Sequence, residues 1–239
     1  MVQPPSHRNH DNEVPHAPFI DLVMSELFAR DHGQTALIGF LGAALKPIAP
    51  IVTATVSIPK IPRHLFNERG HELDICLTLA DGAAVDVKLQ VVPTSDSPKH
   101  ALYLASSWLT AAHKLRGASA QRRRPAIAIF LVSNDLFPER PHEFEVSFSL
   151  HQDDAGPAVL EELAGQVQIK FLEITKASRL WLAKALPLDD MILGAWLGYF
   201  ADPTSAAVAA ACAYLPELQD AREIMEEISR SQSAQEAPP

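Results

Sequence analysis

The chain has 239 residues, 47% of them hydrophobic and 21% charged, with a formal net charge of −9. These values suit a globular protein and speak against a whole-surface affinity for nucleic acid, because phosphate contacts need Lys and Arg. No run of about 18 apolar residues occurs, so no membrane-crossing helix is expected, and the polar, proline-rich start MVQPPSHRNHDNEVPHAP lacks the apolar core of a signal peptide.

In chain order, Phe19 to Leu45 reads as two helices. Phe19, Leu22, Val23, Leu27 and Phe28 recur at three- and four-residue steps, and Ala36, Leu37, Phe40, Leu41, Ala44 and Leu45 repeat the pattern after a break at Asp31-His32-Gly33. The β-branched stretch 50–62, flanked by prolines, predicts a strand or edge strand. Two apolar runs, Leu73–Leu79 and Ala84–Val92, predict a hairpin closed by a two-residue turn at Asp81-Gly82. Pro98 to Arg116 reads as a helix with Tyr103 and Trp108 in the core. The continuous apolar run 125–133 reads as a strand buried on both faces. Strands are expected at 143–150 and 167–175, then helices from Trp181 in about three pieces broken at Asp202-Pro203 and Pro216, with Trp181, Trp196 and Tyr199 in the core. A hairpin followed by a helix and a buried strand implies a mixed α/β sheet. Cys76 and Cys212, far apart in apolar surroundings, are expected to be free thiols in a reducing cytoplasm.

The hairpin raises the functional question. Residues two apart on a strand share a face, so Asp86, Lys88 and Gln90 lie together while Val85, Val87, Leu89 and Val91 face the other way. A tight turn brings Asp74 roughly opposite Lys88 or Val87. Two nearby carboxylates repel unless a cation sits between them. Mg²⁺ takes one or two carboxylates and keeps its other positions for water and phosphate. A neighbouring Lys can orient water or stabilise developing charge on phosphorus. An Asp, a gap and then Asp-x-Lys therefore suits phosphodiester hydrolysis. The same pattern also suits a plain solvated strand face, and spacing alone leaves both open.

Other chemistries lack their motifs. No His-x₃-His or Cys-x₂-Cys spacing marks a transition-metal site, and no Gly-x-Ser-x-Gly elbow or Gly-rich phosphate loop is present. Local basic residues, Lys99, Lys114, Arg116 and the triplet Arg122, Arg123 and Arg124, are candidates for holding a DNA backbone.

The order of DLVMSELF (21–28), ELDICLTLADGAAVDVKLQ (72–90), KHALYLASSWLTAAHKL (99–115) and PAIAIFLVSNDLF (125–137) resembles the PD-(D/E)XK nuclease family transposases. The resemblance covers roughly residues 18–176. It implies a restriction-endonuclease-like mixed sheet flanked by helices, with a helical C-terminal extension. It also implies a Mg²⁺-dependent DNA endonuclease, with Mn²⁺ as a substitute, linked to recombination or mobile elements. The expected organisation is a disordered lead over 1–17 and a disordered tail over 230–239, both from their polar composition, around a nuclease-like domain over 18–180 and a helical extension over 181–229. DNA is the implied partner, a homodimer is left open, and the implied location is the cytoplasm.

By the same resemblance, Asp74 matches the metal-binding aspartate and Gln90 the glutamine of a Glu-x-Gln strand. Asp21 matches the acid of the first helix, with Glu26 as the substitute. Lys88 departs from the pattern, standing where the family has its metal-binding glutamate, and a protonated Lys cannot ligate Mg²⁺. Asp86, two residues earlier, restores an acid-x-Lys pattern. Two outcomes fit: Asp74 and Asp86 hold the metal with Lys88 and Gln90 positioning water or phosphate, or the site is inactive and the protein binds DNA or a partner protein.

Overall fold

The computed structural model describes residues 18–57, 72–92, 103, 125–149 and 167–236. Its centre is a six-stranded sheet in the order β1-β2-β3-β4-β6-β5, built from β1 (Ile51–Ser57), β2 (Glu72–Leu79), β3 (Ala84–Val92), β4 (Ala126–Val132), β5 (Glu145–Ser149) and β6 (Val167–Glu173). β1, β2 and β3 form an antiparallel meander. β3, β4 and β6 run parallel, and β5 returns antiparallel along β6 at the edge.

β4 takes the central place because its sequence has no polar side to show. Ile129 and Leu131 enter one core, Ala128, Phe130 and Val132 the other, and all five are buried. The larger core covers the face carrying Val87, Leu89 and Val91, and the helices pack there. They are α1 (Pro18–Leu22), α2 (Gln34–Leu45), α3 (Ile174–Leu182), α4 (Met191–Ala201), α5 (Ala206–Cys212) and α6 (Pro216–Glu236). α1 continues into a π-wound turn, Val23–Phe28, closed by the Ala29 amide donating to Met24 O at 3.2 Å. The alternation of β3 thus buries its valines against helices and leaves Asp86, Lys88 and Gln90 on the opposite face.

The C-terminal helices share this core rather than lying outside it. Trp181 of α3 seats its indole over Gly194 and Gly198 of α4, where a Cβ on Gly198 would come within 2.6 Å of the ring. Trp181, Trp196 and Tyr199 are buried, as their helical spacing predicts.

Four expectations are corrected. β6 ends at Glu173, and α3 begins at Ile174, seven residues before the expected start. Apolar Ile174, Ala177, Leu180 and Trp181 already follow helical spacing there, and the strand-like alternation of VQIKFLEIT hides it. The chain from Ile174 then forms four helices, with an added break where Lys184 adopts φ 54 ahead of Pro187. Residues 230–236, expected in a disordered tail, are the last part of α6. There Arg230 Nε donates to Glu226 O at 3.2 Å and Ser231 Oγ to Glu227 O at 2.9 Å. The helix expected at 98–116 lies outside the described residues except for Tyr103, which is helical and 65% exposed rather than core.

Cys212 is buried and Cys76 half-buried, and neither is in a disulfide. Among the described residues no helix is long and apolar enough to cross a membrane.

Candidate functional site

The β2–β3 hairpin closes through three residues, Ala80, Asp81 and Gly82, not the expected two. Leu79 N–H donates to Ala83 O at 2.8 Å, and Gly82 adopts φ 81, the left-handed position of a three-residue hairpin loop. The Asp81 carboxylate accepts from Ala83 N at 2.9 Å and fixes the bend.

That loop sets the register. Glu72 pairs with Gln90, Asp74 with Lys88 and Cys76 with Asp86, all on the face away from the helices. One further strand along, Ala126, Ala128 and Phe130 of β4 are in register with Asp86, Lys88 and Gln90. The two alanines give the Lys88 stem and the Asp86 carboxylate small neighbours on that side.

A plain solvated strand face does not describe these residues. Asp86 is 5% exposed, Lys88 4% and Gln90 9%. The Lys88 ammonium forms ion pairs with two carboxylates, the nearer with Glu72 Oε2 at 2.9 Å and the longer with Asp74 Oδ1 at 3.6 Å. Gln90 Oε1 is buried with no hydrogen-bond partner among the described residues, an arrangement that costs stability unless something donates to it.

The hairpin therefore gathers Asp74, Asp86, Lys88 and Gln90 on one face, and adds Glu72. Sequence reasoning passed over Glu72, which stands at the strand mouth beside His71. Its two-residue spacing from Asp74 was the signal that it shares the face. Asp21 is half-buried on α1, in the helical layer that packs against the other face, and makes no ion pair or hydrogen bond with the hairpin groups among the described residues. Glu26 pairs instead with Arg30 at 3.3 Å. Lys99, Lys114, Arg116, Arg122, Arg123 and Arg124 lie outside the described residues.

Asp74 and Asp86 lie on adjacent strands offset by two residues in register, the diagonal separation from which two carboxylates can approach one ion. Among the described residues no group of three or more His, Cys, Asp or Glu is arranged for a metal. Two carboxylates and the Gln90 oxygen, which has no hydrogen-bond partner among the described residues, form an all-oxygen set. Such a set fits a hard cation that keeps water and phosphate in its remaining positions, and it does not fit a closed structural site.

A family model described as PD-(D/E)XK nuclease family transposase matches residues 18–237. No curated protein and no solved structure matches the chain.

Proposed function

Because the chain belongs to the PD-(D/E)XK nuclease family transposases, a family that ties it to nuclease function and mobile elements, we propose that it is a Mg²⁺-dependent DNA endonuclease acting at the β2–β3 hairpin. The observation that supports this most is the register that sets Asp74 beside Lys88 and Asp86 one pair further on the same face. Asp74 and Asp86 would hold the ion. A bound Mg²⁺ supplies an activated water and charge stabilisation at the phosphate. The buried Lys88 ammonium stabilises negative charge growing on the scissile phosphate, where its low-dielectric setting strengthens the effect. The Gln90 oxygen accepts from the attacking water and aligns it. Strands hold such groups more rigidly than loops. Lys99, Lys114, Arg116 and the arginine triplet would grip the flanking backbone.

Incubation of plasmid DNA with the protein and Mg²⁺ or Mn²⁺ tests this. Nicking that stops with chelator, and is lost in Asp74→Asn and Asp86→Asn, is the expected result. Nicking unaffected by both substitutions places the chemistry elsewhere.

A second reading is a non-cutting module that binds DNA or a partner protein. One observation favours it: the Lys88 ammonium is 3.6 Å from Asp74, at the position the family fills with glutamate, so its charge stands in for the metal's. Plasmid bound but left intact with either metal is the outcome it expects.

A further inference from the structure

We propose that Glu72 is a positioning residue of the hairpin site. It anchors the Lys88 ammonium and so sets how strongly that cation competes with a metal ion for Asp74. The inference rests on the metal-holding reading of Asp74 and Asp86.

The argument is geometric. Lys88 is buried along its side chain, at 5% exposure, while the side chains of Glu72 and Asp74 are each 30% exposed. A buried ammonium requires a counter-charge and an acceptor. Both carboxylates are within reach, Asp74 directly across from it and Glu72 two residues along β2, and the ammonium lies nearer Glu72 at 2.9 Å than Asp74 at 3.6 Å. The shorter separation makes Glu72 the stronger of the two counter-charges.

Remove the Glu72 charge and the nearest remaining carboxylate is Asp74. Lys88 would close the gap and bond it, and a cation entering the site would then have to displace an ammonium first. The Gln90 oxygen, which has no hydrogen-bond partner among the described residues and whose register partner is Glu72, independently marks this end of the face as incomplete without a donor or cation.

The test is a double-mutant cycle read by Mn²⁺ calorimetry, with thermal melts to verify folding. Glu72→Gln should weaken Mn²⁺ binding by about tenfold or more, the scale of losses for residues that orient a metal ligand. Glu72→Asp, which keeps the charge, should lose less. Lys88→Met should tighten binding, and in that background Glu72→Gln should have almost no effect, because the ammonium it restrains is gone. The Lys88→Met background also removes the need for a counter-charge, so the comparison survives if Glu72→Gln alone does not fold.

Equal losses from Glu72→Gln in both backgrounds would mean that Glu72 acts on the ion directly, and the positioning role would fall. Unchanged binding in Glu72→Gln, with binding abolished in Asp74→Asn, would reduce Glu72 to a surface partner of Lys88 and leave the metal reading standing. No Mn²⁺ binding to the folded native protein, with or without duplex DNA, would overturn both.

Discussion

Lys88 and Asp74 are register partners across the β2–β3 hairpin, yet the Lys88 ammonium lies nearer Glu72, two residues from Asp74 along β2, at 2.9 Å against 3.6 Å. Position 88 thus decides between two uses of one site. With a carboxylate there, the hairpin presents a directly opposed acid pair. With a lysine, it presents a buried cation flanked by acids.

Replacing Lys88 by Glu separates the two uses. In an active Asp74–Asp86 site, Lys88→Glu removes the phosphate-facing cation and lowers cleavage, by about a hundredfold or more if it contributes as a single electrostatic donor does. In an inactive site the same change creates or raises cleavage. Plasmid nicking rates at fixed Mg²⁺ read the sign directly.

Gln90 trades stability against function. Its buried oxygen has no hydrogen-bond partner among the described residues, so Gln90→Met should raise unfolding free energy by about 1 kcal/mol by removing an unsatisfied group. The same variant should lose cleavage or DNA affinity. A Gln90→Met protein that is less stable than the native one would mean that the oxygen is satisfied in solution.

A second buried ion pair sits at the C-terminal end of β6. Glu173 and Lys176 are both fully buried, 2.6 Å apart. Glu173 accepts from the amides of Leu136 and Phe137, and Lys176 donates to Phe137 O at 2.9 Å and Arg140 O at 3.2 Å. Every strong donor of the ammonium is used, which marks a clamp closing the 133–140 loop onto the β6–α3 junction. Lys176→Met leaves a buried carboxylate unpaired and should cost about 3–5 kcal/mol in urea unfolding. A loss under 1 kcal/mol would show that the loop holds without it.

Alkaline pH should loosen the tie between α2 and the start of α4. Lys46, in the left-handed conformation just past α2, bonds Asp190, and that hydrogen bond raises its pKa above the ordinary 10.5. A raised lysine pKa gives stability that is complete below the unfolded value and lost as pH climbs through the folded one. Melting temperatures of the native protein should therefore fall faster above about pH 10.5 than those of Lys46→Met. Parallel curves would show that the bond adds nothing in solution.

Much of this protein is written locally. The alternation of Val85, Val87, Leu89 and Val91 against Asp86, Lys88 and Gln90 determined that one face of β3 is apolar and the other polar. The unbroken apolar run of β4 determined that it is central, and Asp81-Gly82 determined that a turn joins β2 to β3. Periods of two and near four, and a glycine where φ must be positive, act within a few residues, so sequence carries them.

The tertiary structure decided the rest, because it depends on residues meeting across strands or across long stretches of chain. Whether the hairpin loop holds two residues or three shifts the register, and only the register puts Lys88 opposite Asp74 and within bonding distance of Glu72. The polar face of β3 is also the face a solvated strand would show, and only packing around it turned charged residues into buried ones. The Glu173–Lys176 clamp looked like the end of an alternating strand until the loop 36 residues away supplied its amide donors. Local pattern sets which way a side chain points; what it meets there is fixed by chain closure over distances no short window contains.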